Sequence, residues 1–267
     1  MKQLFLLLLA TQLSMHLQAR DFAPFDNGLI DVENLEEKAT FLKQLGYSGT
    51  TWRPGNTAGI LKALDNEGLK LHATYVVLHA TKNSCPIPKE FVDEINALKG
   101  RDTFVWLGIT GETSDAIALS AIRKISDLAK SNGLRVALYP HYGFKIDTVE
   151  TSLNFVKAIN EPHVGVSFNL CHFLKQNDEA DLAKTIKSAG DKLFLVSING
   201  ADSGDTKAME WDQLIQPFGE GSFNTEKVLR LFDEVGYQGP ILLQCYNIDQ
   251  PDKKHLRTSM RTWKKLK

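Results

Sequence analysis

"LKQLGYSGTTW" (42–52) and "FDEVGYQGPILLQ" (232–244) lie near opposite ends of the sequence, yet they run the same way. Each closes an amphipathic helical pattern, passes through Gly-Tyr-x-Gly and enters a β-rich run. Gly46 and Gly236 fall where a helix commonly ends in a left-handed cap. Such an echo reads as two turns of one repeated αβ unit. Besides 49–52 and 241–245, β-rich runs recur at 71–76, 103–109, 134–139, 164–168 and 193–198, with amphipathic helical patterns between most of them. Strands alternating with helices build a parallel sheet. The helix expected over 113–131 shows the pattern best: Ile117, Ala121, Ile125, Leu128 and Ala129 form one stripe, and Asn132-Gly133 stops it. A first strand is expected within 22–29, where Pro24 and Gly28 interrupt the pattern, with a helix over 32–45 behind it.

Composition sets the frame. With 267 residues, 43% hydrophobic and 24% charged, the chain has ordinary globular composition and enough length for a sizeable core. A net charge of −1 with no block of like charge leaves no footprint for nucleic acid or an anionic membrane, so a small, neutral or weakly charged ligand fits better. Cys85, Cys171 and Cys245 are odd in number and lack CxxC spacing, which indicates neither a disulfide framework nor a zinc site. They read as buried structural thiols.

Eight strands over residues 20–267 match a single-domain (β/α)8 TIM barrel. The competing arrangement, a doubly wound open sheet, lacks its GxGxxG loop after an early strand. "FGEGSF" (218–223) precedes a helix and reads as a loop, and "DEAD" (178–181) begins a helix whose dipole favours acidic residues.

In a barrel, function gathers at the carboxyl ends of the strands. Strand two ends in Trp52-Arg53, strand three passes His72 to Tyr75, and strand four runs through Trp106. Strand five ends in Tyr139-Pro-His141, strand six in Asn169-Leu-Cys-His172, strand seven in Ser197-Ile-Asn199, and strand eight in Gln244-Cys-Tyr246-Asn247. Core packing does not account for so many imidazoles, aromatics and amides at strand ends.

The order "LYPH", "FNLCH", "LVSING", a Gly-x-Gly loop and "VLRLFDEVGYQGPILLQ" resembles the xylose isomerase-like barrels, the sugar isomerase/epimerase superfamily that also contains inosose dehydratases and a DNA-repair nuclease. The similarity covers most of the chain and is most specific in "EVGYQGPILLQ". It implies a divalent metal held by a Glu ending strand five, the Asp of an Asp-x-x-His ending strand six, a His on strand seven and a Glu on strand eight. Carried across, those positions hold Tyr139, Asn169, Ser197 and Gln244. Hard divalent cations prefer charged oxygens, so no tight metal and no cofactor is expected. The amides of Asn169 and Gln244 donate and accept hydrogen bonds at once, which suits sugar hydroxyls.

His172 matches the family's substrate-contacting His, and His141 lies in the matching strand-five motif. The two are expected to act as acid and base near neutral pH, with Tyr139 as an acid or hydrogen-bond donor. Trp52, Arg53, His72, Asn169, Lys175, Asn199 and Gln244 are the expected substrate-binding residues. Arg53 and Lys175 suit a carboxylate or phosphate, while Trp52, Trp106 and Tyr75 suit stacking on a sugar face. His163 and His255 read as surface positions without a role. The expected function is a secreted sugar isomerase, epimerase or lyase acting on a sugar or keto-sugar without metal; the alternative is a carbohydrate-binding pseudoenzyme. The nuclease branch is set aside because its metal cluster and any basic face are missing.

Lys2, the apolar run from Leu4 to Ala10 and a polar stretch ending Leu17-Gln18-Ala19 have the layout of a secretory signal peptide over 1–19. The run is far shorter than the roughly 20 apolar residues of a membrane span, and no Cys follows it for a lipid anchor. Export to the periplasm or the exterior, with no membrane attachment after cleavage, is expected. N-terminal sequencing of the exported protein should start at Arg20, and an intact Met1 would reject the assignment.

Overall fold

The computed structural model describes residues 20–266, so the expected leader lies outside the described residues. Eight strands form one sheet: β1 (Phe22–Pro24), β2 (Gly49–Trp52), β3 (Lys70–His79), β4 (Phe104–Thr110), β5 (Arg135–Leu138), β6 (Val164–Asn169), β7 (Leu193–Ile198) and β8 (Ile241–Leu243). All pairings are parallel, each strand from β2 to β7 pairs with the next, and β8 pairs in turn with β1. The Ser48 amide donates to the Phe22 carbonyl at 3.0 Å and the Thr50 hydroxyl to the Pro24 carbonyl at 2.9 Å, drawing β2 against β1. The result is a nearly closed TIM barrel in a single domain, not an open doubly wound sheet.

Around it run α1 (Leu35–Leu45), α2 (Thr57–Asn66), α3 (Lys89–Ala97), α4 (Asp115–Ser131), α5 (Val149–Ile159), α6 (Leu170–Gln176), α7 (Leu182–Ala189), the single turn α8 (Trp211–Leu214), α9 (Thr225–Glu234) and α10 (Asp252–Leu266). Among these described residues no helix is long and apolar enough to cross a membrane.

The echoed segments are equivalent corners. Gly46 and Gly236 end α1 and the turn after α9 at φ of +94° and +71°, the left-handed region that glycine enters freely. The tyrosine that follows each is buried and tethered: Tyr47 donates its hydroxyl to the Leu256 carbonyl at 2.9 Å, Tyr237 to that of Pro240 at 2.7 Å. Gly49 is required by close approach, because a Cβ there would stand 1.8 Å from the Lys70 carbonyl oxygen.

Two apolar cores result. The larger lies between barrel and helices. The smaller fills the barrel itself: Ala23, Ala73 and Ala137 leave room for Phe25, Phe104, Trp106, Tyr139, Leu195 and Leu242. Trp106 is fully enclosed, and its indole N–H donates to Ser167 Oγ at 2.7 Å.

Three histidines depart from expectation. His255 is buried on the inner face of α10, its Nε2 3.3 Å from Asp252 Oδ1, because Asp252 and Asp31 exchange backbone-to-carboxylate hydrogen bonds that seat the start of α10 on the barrel. His163 is half-buried, with its ring against Ser126 Oγ at 2.9 Å. Neither is a surface position. His72 sits near the start of the long strand β3, at the amino-terminal end of the barrel. It is buried with Nε2 2.9 Å from Ser48 Oγ, near Asp21, Lys70, Asp102 and Arg135.

Burial lowers the His72 pKa to about 4, outweighing the pull of Asp21. Between the ordinary value of about 6.5 and about 4, the unfolded chain binds a proton there that the folded chain does not. Stability conferred by neutral His72 is therefore complete above that window and is lost as pH falls through it. Chemical denaturation of the His72→Gln variant should show a pH slope in this window shallower than wild type by up to about 1.4 kcal/mol per pH unit. An unchanged slope would contradict the assignment.

Candidate functional site

The carboxyl ends of the strands open onto a cavity of about 670 Å³. Its floor is aromatic and fixed edge to face. Phe25 meets Trp106 at 4.9 Å between ring centroids, Tyr75 meets Tyr139 at 5.2 Å, and Trp106 and Tyr139 lie 4.4 Å apart. Such a floor is the upper surface of the barrel's own core, so it is held as rigidly as the fold.

His141 follows β5 after Pro140, and His172 lies in the first turn of α6, which starts where β6 ends. Their ring centroids are 3.8 Å apart. Phe144 stacks on His141 at 3.9 Å, and Trp211 meets His172 edge-on at 5.5 Å. His141 Nδ1 lies 2.8 Å from the Tyr142 carbonyl oxygen. A carbonyl only accepts, so Nδ1 carries the hydrogen and Nε2 presents a lone pair. His172 is buried with neither ring nitrogen partnered within the protein. Burial pushes the His141 pKa below its ordinary value, and burial reinforced by His141 pushes that of His172 well below it. Both rings are therefore neutral at pH 7.

Asn169 works through Tyr139. Its Nδ2 donates to the Tyr139 hydroxyl at 2.7 Å, and the Cys171 thiol donates to its Oδ1 at 3.0 Å. Burial pushes the pKa of both Tyr139 and Cys171 up, so the phenol and the thiol keep their protons. With its oxygen already accepting, Tyr139 has its own O–H left for a ligand. Gln244 is pinned in a similar way: Oε1 accepts from the amides of Cys245 and Tyr246, both at 3.0 Å, and from Asn27 Nδ2 at 3.2 Å. Its Nε2 remains as a donor.

Of the residues expected to bind substrate, Arg53 and Gln244 line this cavity together with Tyr139, His141 and His172. Arg53 Nε donates to Asp26 Oδ2 at 2.7 Å, and these two are the only formally charged residues among the described residues lining it. Asn169 faces an adjoining cavity of about 510 Å³ between α5, α6 and α7, which shares His172. The others stand elsewhere. Trp52 donates Nε1 to the Gly55 carbonyl outside the cavity, and Lys175 Nζ lies 2.5 Å from the Met209 carbonyl. Asn199 is buried, its Nδ2 donating to Gly200 and Leu214 to hold the loop after β7. His72 is at the other end of the barrel.

Sequence reasoning missed Asp26, Asn27 and Ile30 after β1, Tyr142 after β5, and Trp211 and Ile215 after β7. All lie in short segments beyond the strand ends, Trp211 opening the single turn α8, where no periodicity marks them.

The residues at the family's metal positions do not fit a divalent cation. Tyr139 stays protonated, Asn169 Oδ1 already accepts from the Cys171 thiol, and Gln244 Oε1 already faces three N–H donors. Ser197 Oγ is buried without a partner, but one hydroxyl is a poor ligand. Among the described residues, no three of His, Cys, Asp and Glu converge on one point.

Comparison with known proteins agrees with this architecture. The chain is 25% identical over 138 residues to a 3-dehydroshikimate dehydratase of Pseudomonas aeruginosa, covering 49% of this chain and 21% of that protein. It is 22% identical over 131 residues to inosose isomerase of Halalkalibacterium halodurans, covering 48% and 45%. The matched region spans less than half the length of either relative. The fold is similar to that of D-allulose 3-epimerase from Methylomonas sp. in complex with D-allulose, with a TM-score of 0.72, 16% identity and coverage of 92% and 96%. It is also similar to that of the IolI protein with a bound zinc atom, with a TM-score of 0.71, 14% identity and coverage of 92% and 97%. Residues 43–266 match the family described as the xylose isomerase-like TIM barrel, and the chain belongs to that family.

Proposed function

We propose that this protein is an exported, metal-independent isomerase, epimerase or lyase acting on a sugar or keto-sugar, with His141 and His172 moving the proton. The observation that carries the reading is the contact of two neutral imidazoles, 3.8 Å between centroids, at the mouth of a barrel floored with aromatic rings. Sugar rings present C–H faces that pack on aromatic side chains, and the donors of Tyr139 and Gln244 suit their oxygens. Isomerase, epimerase and dehydratase relatives support the same class of chemistry.

The roles follow from which atoms are free. His141 Nε2, with its lone pair exposed, takes the proton from the carbon beside a carbonyl. The electrons of that C–H bond form the C=C of an enediolate, and Tyr139 O–H donates to the carbonyl oxygen as charge develops there. His172, unengaged at both nitrogens, takes that proton over from the His141 imidazolium and is neutral again once it has delivered it: to the neighbouring carbon in isomerisation, as the hydroxyl proton shifts between the two oxygens of the enediol, to the opposite face of the same carbon in epimerisation, or to the departing β-hydroxyl in elimination. A depressed pKa keeps the base unprotonated at neutral pH and makes the imidazolium a ready donor once formed.

Replacing His141 with Ala or His172 with Asn should lower kcat/KM by on the order of 10²-fold or more. Because the base must be neutral, activity should hold at pH 7 and fall only as pH drops below the ordinary His range near 6.5. Sugar binding with undetectable turnover in the wild type would favour the binding-only alternative, and turnover unchanged in both variants would reject the roles assigned to the two histidines.

Metal independence has its own test. A site binding Mn²⁺ with a Kd of about 10 μM would stabilise the fold at about 1 mM metal by roughly 2.7 kcal/mol. That corresponds to a melting shift of about 5 to 10 °C for a domain of this size. Chelator-treated protein should show no such shift, and activity should survive EDTA. A metal-dependent stabilisation abolished by His172→Ala would overturn this part of the reading.

A further inference from the structure

Three large apolar side chains are exposed among the described residues: Ile30 at 65%, Tyr142 at 46% and Tyr246 at 58%. Single exposed apolar residues are ordinary. Here all three, from the loops after β1, β5 and β8, stand on the rim of the same cavity. Tyr142 is braced edge-on by Trp211 at 5.9 Å. The loops of one barrel end thus present an apolar ledge directly above the aromatic floor.

The size and charge of the cavity narrow the ligand further. At about 30 Å³ per water, its 670 Å³ would hold roughly twenty waters, well beyond the dozen non-hydrogen atoms of a hexose. A phosphate needs unpaired cations or a cradle of donors. Among the described residues the one Lys or Arg lining the cavity is Arg53, whose Nε is committed to Asp26, and Lys175 is turned to the Met209 carbonyl. The carboxylate of Asp26 on the same rim further disfavours an anion.

The geometry points to a neutral reducing disaccharide as the ligand, rather than a free or phosphorylated monosaccharide. The ring that carries the carbonyl lies over Tyr75 and the Tyr139 hydroxyl beside the two imidazoles, and the second sugar ring packs over Tyr246, Tyr142 and Ile30. This rests on the carbohydrate reading above and names its substrate class. Tyrosines suit such a ledge because they offer large rigid area with only two side-chain torsions to fix.

Calorimetric titration of the exported protein separates the two levels. The probes are glucose, galactose and mannose, each as free sugar, as 6-phosphate and as a disaccharide carrying that sugar at its reducing end. At least one disaccharide should bind tenfold or more tighter than its monosaccharide, with the phosphate no tighter than the free sugar. Tyr246→Ala and Ile30→Ser should return disaccharide affinity to the monosaccharide level and leave monosaccharide affinity within about twofold. Monosaccharides binding as tightly as disaccharides, or rim variants without effect, would overturn the inference and leave the carbohydrate reading standing. A 6-phosphate preferred over the free sugar would overturn neutrality. Binding of no sugar at all would remove the carbohydrate reading and this one with it. A concentration-dependent dimer lost in Tyr246→Ala would make the ledge an interface between copies and equally overturn the inference.

Discussion

The indole of Trp106 lies across the centre of the barrel, and its one N–H donates to Ser167 Oγ at 2.7 Å while that hydroxyl donates onward to the Leu138 carbonyl at 3.1 Å. Left unpaired in so dry a place, such a donor would cost about 1–3 kcal/mol. The bond therefore fixes both the position and the tilt of the largest side chain in the barrel. Ala23, Ala73 and Ala137 on the surrounding strands make this possible, since larger side chains would occupy the volume the indole fills. Phe25, Tyr75 and Tyr139 then pack against a ring that cannot move. Below the indole is the barrel core, and above it is the floor of the site.

From that floor upward, the site is organised by neutral hydrogen bonds where the family arrangement implies charge. Cys171, Asn169 and Tyr139 form a chain with one polarity: the thiol donates to the amide oxygen, the amide nitrogen donates to the phenol, and the phenol has its hydrogen left for a ligand. An aspartate at Asn169 would accept from Tyr139 and turn that hydrogen away from the cavity. The amide is thus an orienting device. Gln244 follows the same logic, since a side chain whose oxygen faces three N–H groups presents only its NH₂.

How much of this was legible in sequence depends on which constraint wrote each residue. The αβ repeat was readable because each Gly-Tyr-x-Gly corner is imposed locally, by a left-handed cap and by the close approach at Gly49. Strand positions were readable from β-rich runs, and β2 and β7 fall exactly on 49–52 and 193–198. What a run of apolar residues does not mark is where a strand stops. His72 is the second residue of the run 71–76 and so lies at the bottom of the barrel, and β3 continues to His79, three residues beyond its apparent end at 76. His255 was misplaced because one imidazole among the charges of α10 does not show which face is buried; the reciprocal Asp31 and Asp252 bonds that bury it connect distant segments. The loop residues Asp26, Trp211 and Ile215 enter the cavity by three-dimensional convergence alone, which no local pattern records.

The pairing of His141 with His172 has a consequence neither residue shows by itself. At 3.8 Å between rings, one imidazolium opposes formation of the other, and both are already disfavoured by burial. The pair therefore holds at most one extra proton near neutral pH. The Tyr142 carbonyl fixes one tautomer, whereas nothing in the protein fixes the other. In the proposed reaction the proton taken at His141 Nε2 is given up again from His172, and the unequal tethering of the two rings is the asymmetry that moving hydrogen between two positions on one ligand demands. Two identical, symmetrically held imidazoles would lack it.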